Sequence, residues 1–184
     1  MKTKVVYVLV SQESDYYYEM LLLSLFSLRL YHPLGDAEVV VVMDRDTQQR
    51  LIDIKADILD EVTPIVPDIP QGYSTMQRSR FLKTSLRAFI TGDFLYLDTD
   101  TIICRSLCEV DSFDGDFCAV LDNHKGNTPE KQIDALSNEL KRWKKLKGTT
   151  AYNSGVFFFQ RYPQCSSVFP VMARDMAIWF IPWL

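Results

Sequence analysis

Asp98 and Asp100, two carboxylates separated by one residue, have the type and spacing to do chemistry. Carboxylate oxygens suit a hard divalent cation, and a pair at i and i+2 leaving the end of a strand projects to one side and can share it. The spacing alone is weak: chance predicts about one or two such pairs in a chain this rich in aspartate. Three occur, at Asp44/Asp46, Asp98/Asp100 and Asp114/Asp116, so context must separate them. Asp114-Gly115-Asp116 reads as turn chemistry. Asp44 and Asp46 follow an apolar run and precede Thr47 and a helical stretch, so helix capping explains them. Asp98 and Asp100 lie between Phe94-Leu95-Tyr96-Leu97 and Ile102-Ile103, inside a run expected to be buried. Charge buried there is costly unless it is paired or metal-bound, so this pair carries the metal expectation.

The elements that must position the pair alternate along the chain. Val5 to Val10 and Glu38 to Met43 are apolar on both faces, as central parallel strands covered by helices would be. Tyr17 to Tyr31 reads as a helix stopped by Pro33 and Gly35, and Gln48 to Ile54 as a second helix. Three prolines between Val62 and Gly72 require an extended connection before a helix from Met76 to Ile90. Phe94 to Leu97, Phe117 to Leu121 and Gly155 to Gln160 read as strands, with helices at Pro129 to Leu146 and Cys165 to Phe180. Alternation of this kind predicts one α/β domain over 1–184, with a mainly parallel, Rossmann-like sheet and helices on both faces. Ligands of such sheets bind beyond the carboxyl ends of the strands, where strand order reverses.

Composition narrows the function. The 184 residues are 47% hydrophobic and 24% charged, enough for a core without staples. A formal net charge of -4 argues against nucleic acid as a partner. No Gly-rich phosphate loop comes after the first strand, which removes the dinucleotide and P-loop readings and ranks a nucleotidyltransferase last. The four cysteines show no CxxC pair and read as reduced, mostly buried thiols, and no export signal precedes Val5, so a cytoplasmic location is expected. His32 and His124 read as polar loop residues. The basic run Lys141 to Lys147 and the apolar stretch Val168 to Leu184 read as helix faces; the other readings are contact with the inner face of a membrane or an acidic acceptor for the first, and membrane or partner contact for the second.

Phe94-Leu95-Tyr96-Leu97-Asp98-Thr99-Asp100-Thr101-Ile102-Ile103 resembles the DxD segment of glycosyltransferase family 8. Arg80-Phe81-Leu82-Lys83 resembles the family's upstream basic pair, and Ala151-Tyr152-Asn153-Ser154-Gly155-Val156 its sugar-site turn, all in family order over residues 4 to 161. The resemblance implies a GT-A fold and Mn2+ or Mg2+ on Asp98 and Asp100. It also implies transfer of a hexose, with retention, from a nucleotide-diphosphate sugar such as a UDP-sugar to a saccharide or lipid-linked acceptor of lipopolysaccharide type. Carried over, Arg80, Lys83 and Thr99 sit beside the donor phosphates or sugar, Asn153, Ser154 and Gly155 at the sugar, and Ser11 and Tyr17 at the nucleoside. No catalytic residue is assigned.

The chain departs from the family at its C-terminal side, where a histidine that ligates the metal in an HxxGxxKPW-type segment has no counterpart. The domain is therefore expected to be C-terminally incomplete relative to the family. A second reading is then a non-catalytic nucleotide-sugar-binding remnant, or a partial site completed by a partner chain.

Overall fold

The computed structural model describes residues 1–11, 16–113, 115–121 and 152–160. Met1–Cys118 with Gly155–Arg161 forms one compact unit; the described residues 119–121 and 152–154 belong to a second. Six strands run in the order β3-β2-β1-β4-β6-β5: β1 (Lys4–Leu9), β2 (Val39–Met43), β3 (Thr63–Ile65), β4 (Phe94–Leu97), β5 (Phe117–Leu121) and β6 (Tyr152–Phe159). β1 pairs in parallel with β2 and β4, β2 in parallel with β3, and β4 antiparallel with β6, placing Leu97 opposite Val156. Strand order therefore reverses between β1 and β4.

The continuous apolar runs are explained by two cores, one on each face of the sheet, with alternate strand residues sent to each. Val5, Tyr7, Leu9, Val41, Leu95 and Leu97 pack under α1 (Tyr16–Arg29), α2 (Arg45–Asp53) and α3 (Ile58–Glu61). Val6, Val8, Val40, Val42, Phe94 and Tyr96 pack under α4 (Thr75–Thr84) and α5 (Leu86–Phe89) through Leu82, Leu86 and Ile90.

Several sequence expectations change. The helix expected over 76–90 is two, parted at Ser85, because the Thr84 hydroxyl turns back to the carbonyls of Arg80 (2.9 Å) and Phe81 (3.2 Å). The proline-rich connection supplies the edge strand β3, where Pro64 costs the ladder little. Asn153 and Ser154, expected in a turn, lie in β6, which begins before the strand expected from Gly155. Cys104, Cys108 and Cys118 are exposed rather than buried; Cys165 lies outside the described residues. The run beyond Leu97 is not buried throughout, since Ile102 is 50% exposed and only Ile103 enters the core. His32, expected to be a polar loop residue, is fully buried: Nδ1 is 2.6 Å from Asp36 Oδ2, and Nε2 accepts the Leu107 amide at 2.8 Å. The buried face of α1 carries Ser24, which bonds the Tyr7 hydroxyl (3.0 Å), and Ser27, which accepts the Ile103 amide (2.9 Å), while Leu22, Leu23 and Phe26 are exposed. No helix among the described residues is long and apolar enough to cross a membrane. The stretches 129–146 and 165–180, with His124 and Asp114, lie outside the described residues.

Candidate active site

Strand parity places the key carboxylates. Val40 and Val42 of β2 face α4, and Asp44 continues that series past the strand end; Phe94 and Tyr96 of β4 face α4, and Asp98 continues it likewise. α4 crosses this edge of the sheet. Its N-terminus is set by a capping box, in which Gln77 N–H donates to Ser74 Oγ and Gln77 Oε1 accepts the Ser74 amide (2.8 Å). Five residues of helix rise about 7.5 Å, close to the roughly 10 Å between strands two apart in a sheet. Arg78 and Lys83 can thus reach the ends of β2 and β4 from one helix.

Both cations find carboxylates, in different settings. Arg78 Nη1 lies 2.7 Å from Asp44 Oδ2 and 2.6 Å from Asp46 Oδ2, and Asp44 Oδ1 accepts the Thr47 amide (2.9 Å) as the N-cap of α2. The Asp44 side chain is only 4% exposed. At β4, Lys83 Nζ approaches both oxygens of Asp98, at 2.8 and 3.1 Å, and lies 4.9 Å from the centre of the Tyr96 ring. Tyr96 donates its hydroxyl to Asp98 Oδ1. Burial, then the charge and hydrogen bond of Asp98 and the charge of Asp100, hold the Tyr96 hydroxyl well above its ordinary pKa, so it remains a donor. The Asp98 side chain is 36% exposed, and its backbone amide is fixed by Gly155 O at 2.7 Å.

The chain does not continue as a strand beyond Asp98. Thr101 N–H closes a turn on the Asp98 carbonyl (3.1 Å), with Thr99 half-buried at the bend and Asp100 exposed. The same-side argument for an extended i, i+2 pair is thereby replaced: the turn, not the pleat, sets the second carboxylate. Asp100 has no ion-pair partner among the described residues.

The other expected site residues are placed less closely. Arg80 on α4 is half-buried, and its side chain has no ion-pair partner among the described residues, so the basic pair is split, with Lys83 alone on Asp98. Ser11, beyond β1, is buried, its amide bonded to Thr47 Oγ1 (2.8 Å). Tyr17, the second residue of α1, is 53% exposed and edge-on to Tyr16 at 5.6 Å. Ser154 is exposed and Gly155 buried on β6, where Asn153 also lies. Sequence reasoning passed over Tyr96 and Arg78. The signal for Tyr96 was its place two residues before Asp98 on the same strand face; for Arg78, the five-residue offset from Lys83.

Ser11, Asp44 and Asp98 thus lie just past the carboxyl ends of three neighbouring parallel strands, at the switch point where such sheets bind ligands. No protein-family model and no curated protein sequence matches the chain. Its fold is the GT-A fold of glycosyltransferases. Solved structures that share it include galactosyltransferase LgtC in complex with donor and acceptor sugar analogs, at TM-score 0.56 and 18% identity over 95% of this chain and 66% of that one. Mouse xyloside xylosyltransferase 1 superposes at TM-score 0.61 and 12% identity, over 97% and 76% of the two chains. GlyE of Streptococcus pneumoniae TIGR4 superposes at 0.56 and 16%, over 97% and 38%. The chain spans about two thirds of the length of the LgtC structure.

Among the described residues no cluster of three His, Cys, Asp or Glu side chains is placed to hold a metal. Asp98 and Asp100 fit a divalent cation as carboxylate donors: Asp100 is exposed without an ion-pair partner, and the two oxygens of Asp98 converge on the ammonium of Lys83 as they would on a metal.

Proposed function

We propose that this chain is the donor-binding domain of a metal-dependent hexosyltransferase that takes its sugar from a nucleotide diphosphate, with UDP as the nucleotide. The observation that carries the proposal is the turn bearing Asp98 and Asp100 at the carboxyl end of β4, beside the strand-order reversal of a GT-A sheet. Asp98 and Asp100 would hold Mn2+ or Mg2+, which as a Lewis acid neutralises charge on the departing diphosphate.

The remaining work falls to fixed groups of the chain. Tyr96, kept protonated, and the Asp98 amide held by Gly155 orient the Asp98 carboxylate. Arg80 and Lys83 supply positive charge to the phosphates as negative charge develops on the leaving group. Thr99 bounds the turn between the two acids. Ser11 and Tyr17 flank the end of β1, where the nucleoside would lie, and Asn153, Ser154 and Gly155 would meet the donor sugar. The acceptor is a saccharide, free or lipid-linked, of surface-glycan assembly, configuration is retained, and the reaction is cytoplasmic. That one structure of this fold holds donor and acceptor sugar analogs supports the class of both partners.

Calorimetric titration of UDP into the 184-residue chain, with Mn2+ and then with a chelator, tests the reading. Binding that requires Mn2+ is the expected result. A folded chain that binds UDP in neither condition overturns it.

A further inference from the structure

Lys83 occupies the place at Asp98 that a cation ligand would need. Its Nζ bridges both carboxylate oxygens, at 2.8 and 3.1 Å, and the Tyr96 hydroxyl takes a further lone pair of Oδ1. The ammonium also lies 4.9 Å from the Tyr96 ring centre and its side chain is 22% exposed, so it is neither loosely solvated nor fully enclosed. Asp100, two residues on, is exposed without an ion-pair partner among the described residues. One carboxylate of the pair is open to a cation and the other is already neutralised by a residue of the chain.

We infer that Lys83 is an exchangeable counter-ion that makes metal binding depend on the donor diphosphate. This rests on the metal-dependent donor reading above. A lysine suits such a role: its ammonium is a compact point charge on a flexible four-carbon stem, able to change partners without moving the helix that carries it. Leaving Asp98 for no other anion strands a positive charge beside an incoming divalent cation. Leaving it for a diphosphate gives the ammonium a new acceptor and gives Asp98 to the metal. Metal alone therefore binds against Lys83, and metal with diphosphate binds with its help. The coupling is reciprocal, so the diphosphate also gains from the metal by the same factor. Arg78, held by the 4% exposed Asp44 and by Asp46, has no such freedom.

The experiment compares wild type with Lys83→Met, which keeps an unbranched apolar stem over the Tyr96 ring, and with Lys83→Gln in case the first variant folds poorly. Mn2+ alone, UDP alone and both together are titrated by calorimetry into the full chain. Mn2+ alone is expected to bind the variants about tenfold more tightly than wild type, and the factor by which UDP strengthens Mn2+ binding to fall about tenfold. Equal or weaker binding of Mn2+ alone to folded Lys83→Met or Lys83→Gln overturns the inference. So does a gain that persists when Asp98→Asn is added, because the competition would then lie elsewhere. A lysine that only steadied the fold would lower both affinities together. Failure of Mn2+ to bind any form, with or without UDP, overturns the metal reading and this inference with it.

Discussion

The ends of β2 and β4 carry the same short pattern, an aspartate facing α4 and a second aspartate two residues on, yet the chain uses them in opposite ways. Beyond β2 the backbone enters α2 at once, so Asp44 caps a helix and is closed over by Arg78, with its side chain only 4% exposed. Beyond β4 the backbone turns, so Asp98 keeps 36% of its side chain exposed and Asp100 faces outward. The partner differs in kind as well. Arg78 sits between two carboxylates, reaching both through Nη1 while Nη2 lies 3.4 Å from the Thr75 hydroxyl, whereas Lys83 offers one carboxylate a compact point charge that can be given up. A D-x-D pattern thus says little by its letters; the path of the backbone just past it decides whether the acids are consumed by the fold or left for a ligand.

Three substitutions would break or sharpen that contrast. Asp44→Ala removes the cap of α2 and strands Arg78 against Asp46 alone, for an expected loss of about 3 kcal/mol of stability in denaturant unfolding. A loss under about 1 kcal/mol would mean that the β2 end is not the structural member of the pair. Asp98→Asn is expected to weaken Mn2+-dependent UDP binding by about 30-fold, roughly 2 kcal/mol, with unfolding free energy changed by less than about 1 kcal/mol. Equal damage to stability and binding would erase the distinction between the two ends. Arg45→Ala breaks the pair with Asp68 (3.1 Å), whose members are 79% and 94% exposed, and should leave the thermal midpoint unchanged. A measurable drop would show that even exposed charge at the β2 end supports the fold.

Much of this contrast was legible in the residues. Thr47 and the helical stretch after Asp46 marked the first pair as a cap, and the apolar run before Asp98 located the strand that presents the second. Parallel strands buried on both faces are the expected outcome of runs such as Val39 to Met43, which leave no polar side. Other features were hidden for physical reasons. The break at Ser85 depends on where the Thr84 hydroxyl turns, a choice that propensity does not encode. The buried state of His32 depends on acceptors and donors at Asp36 and Leu107, the second of them far along the chain. Lys83 and Arg80 carry equal charge in a helical stretch, and only the crossing of α4 over the sheet decides which of them meets Asp98.

The 2.7 Å bond from the Asp98 amide to Gly155 O also joins an early segment of the chain to a late one. Chains emerge from the ribosome from the N-terminus, and early segments can pack before later ones exist. β1, β2 and β4 can form their parallel core as soon as residue 97 is available, but the antiparallel strand that anchors Asp98 is made only after the whole intervening segment. Both acids are therefore synthesised well before the backbone that steadies Asp98, so the anchoring of this carboxylate waits on the late strand even where the parallel core does not.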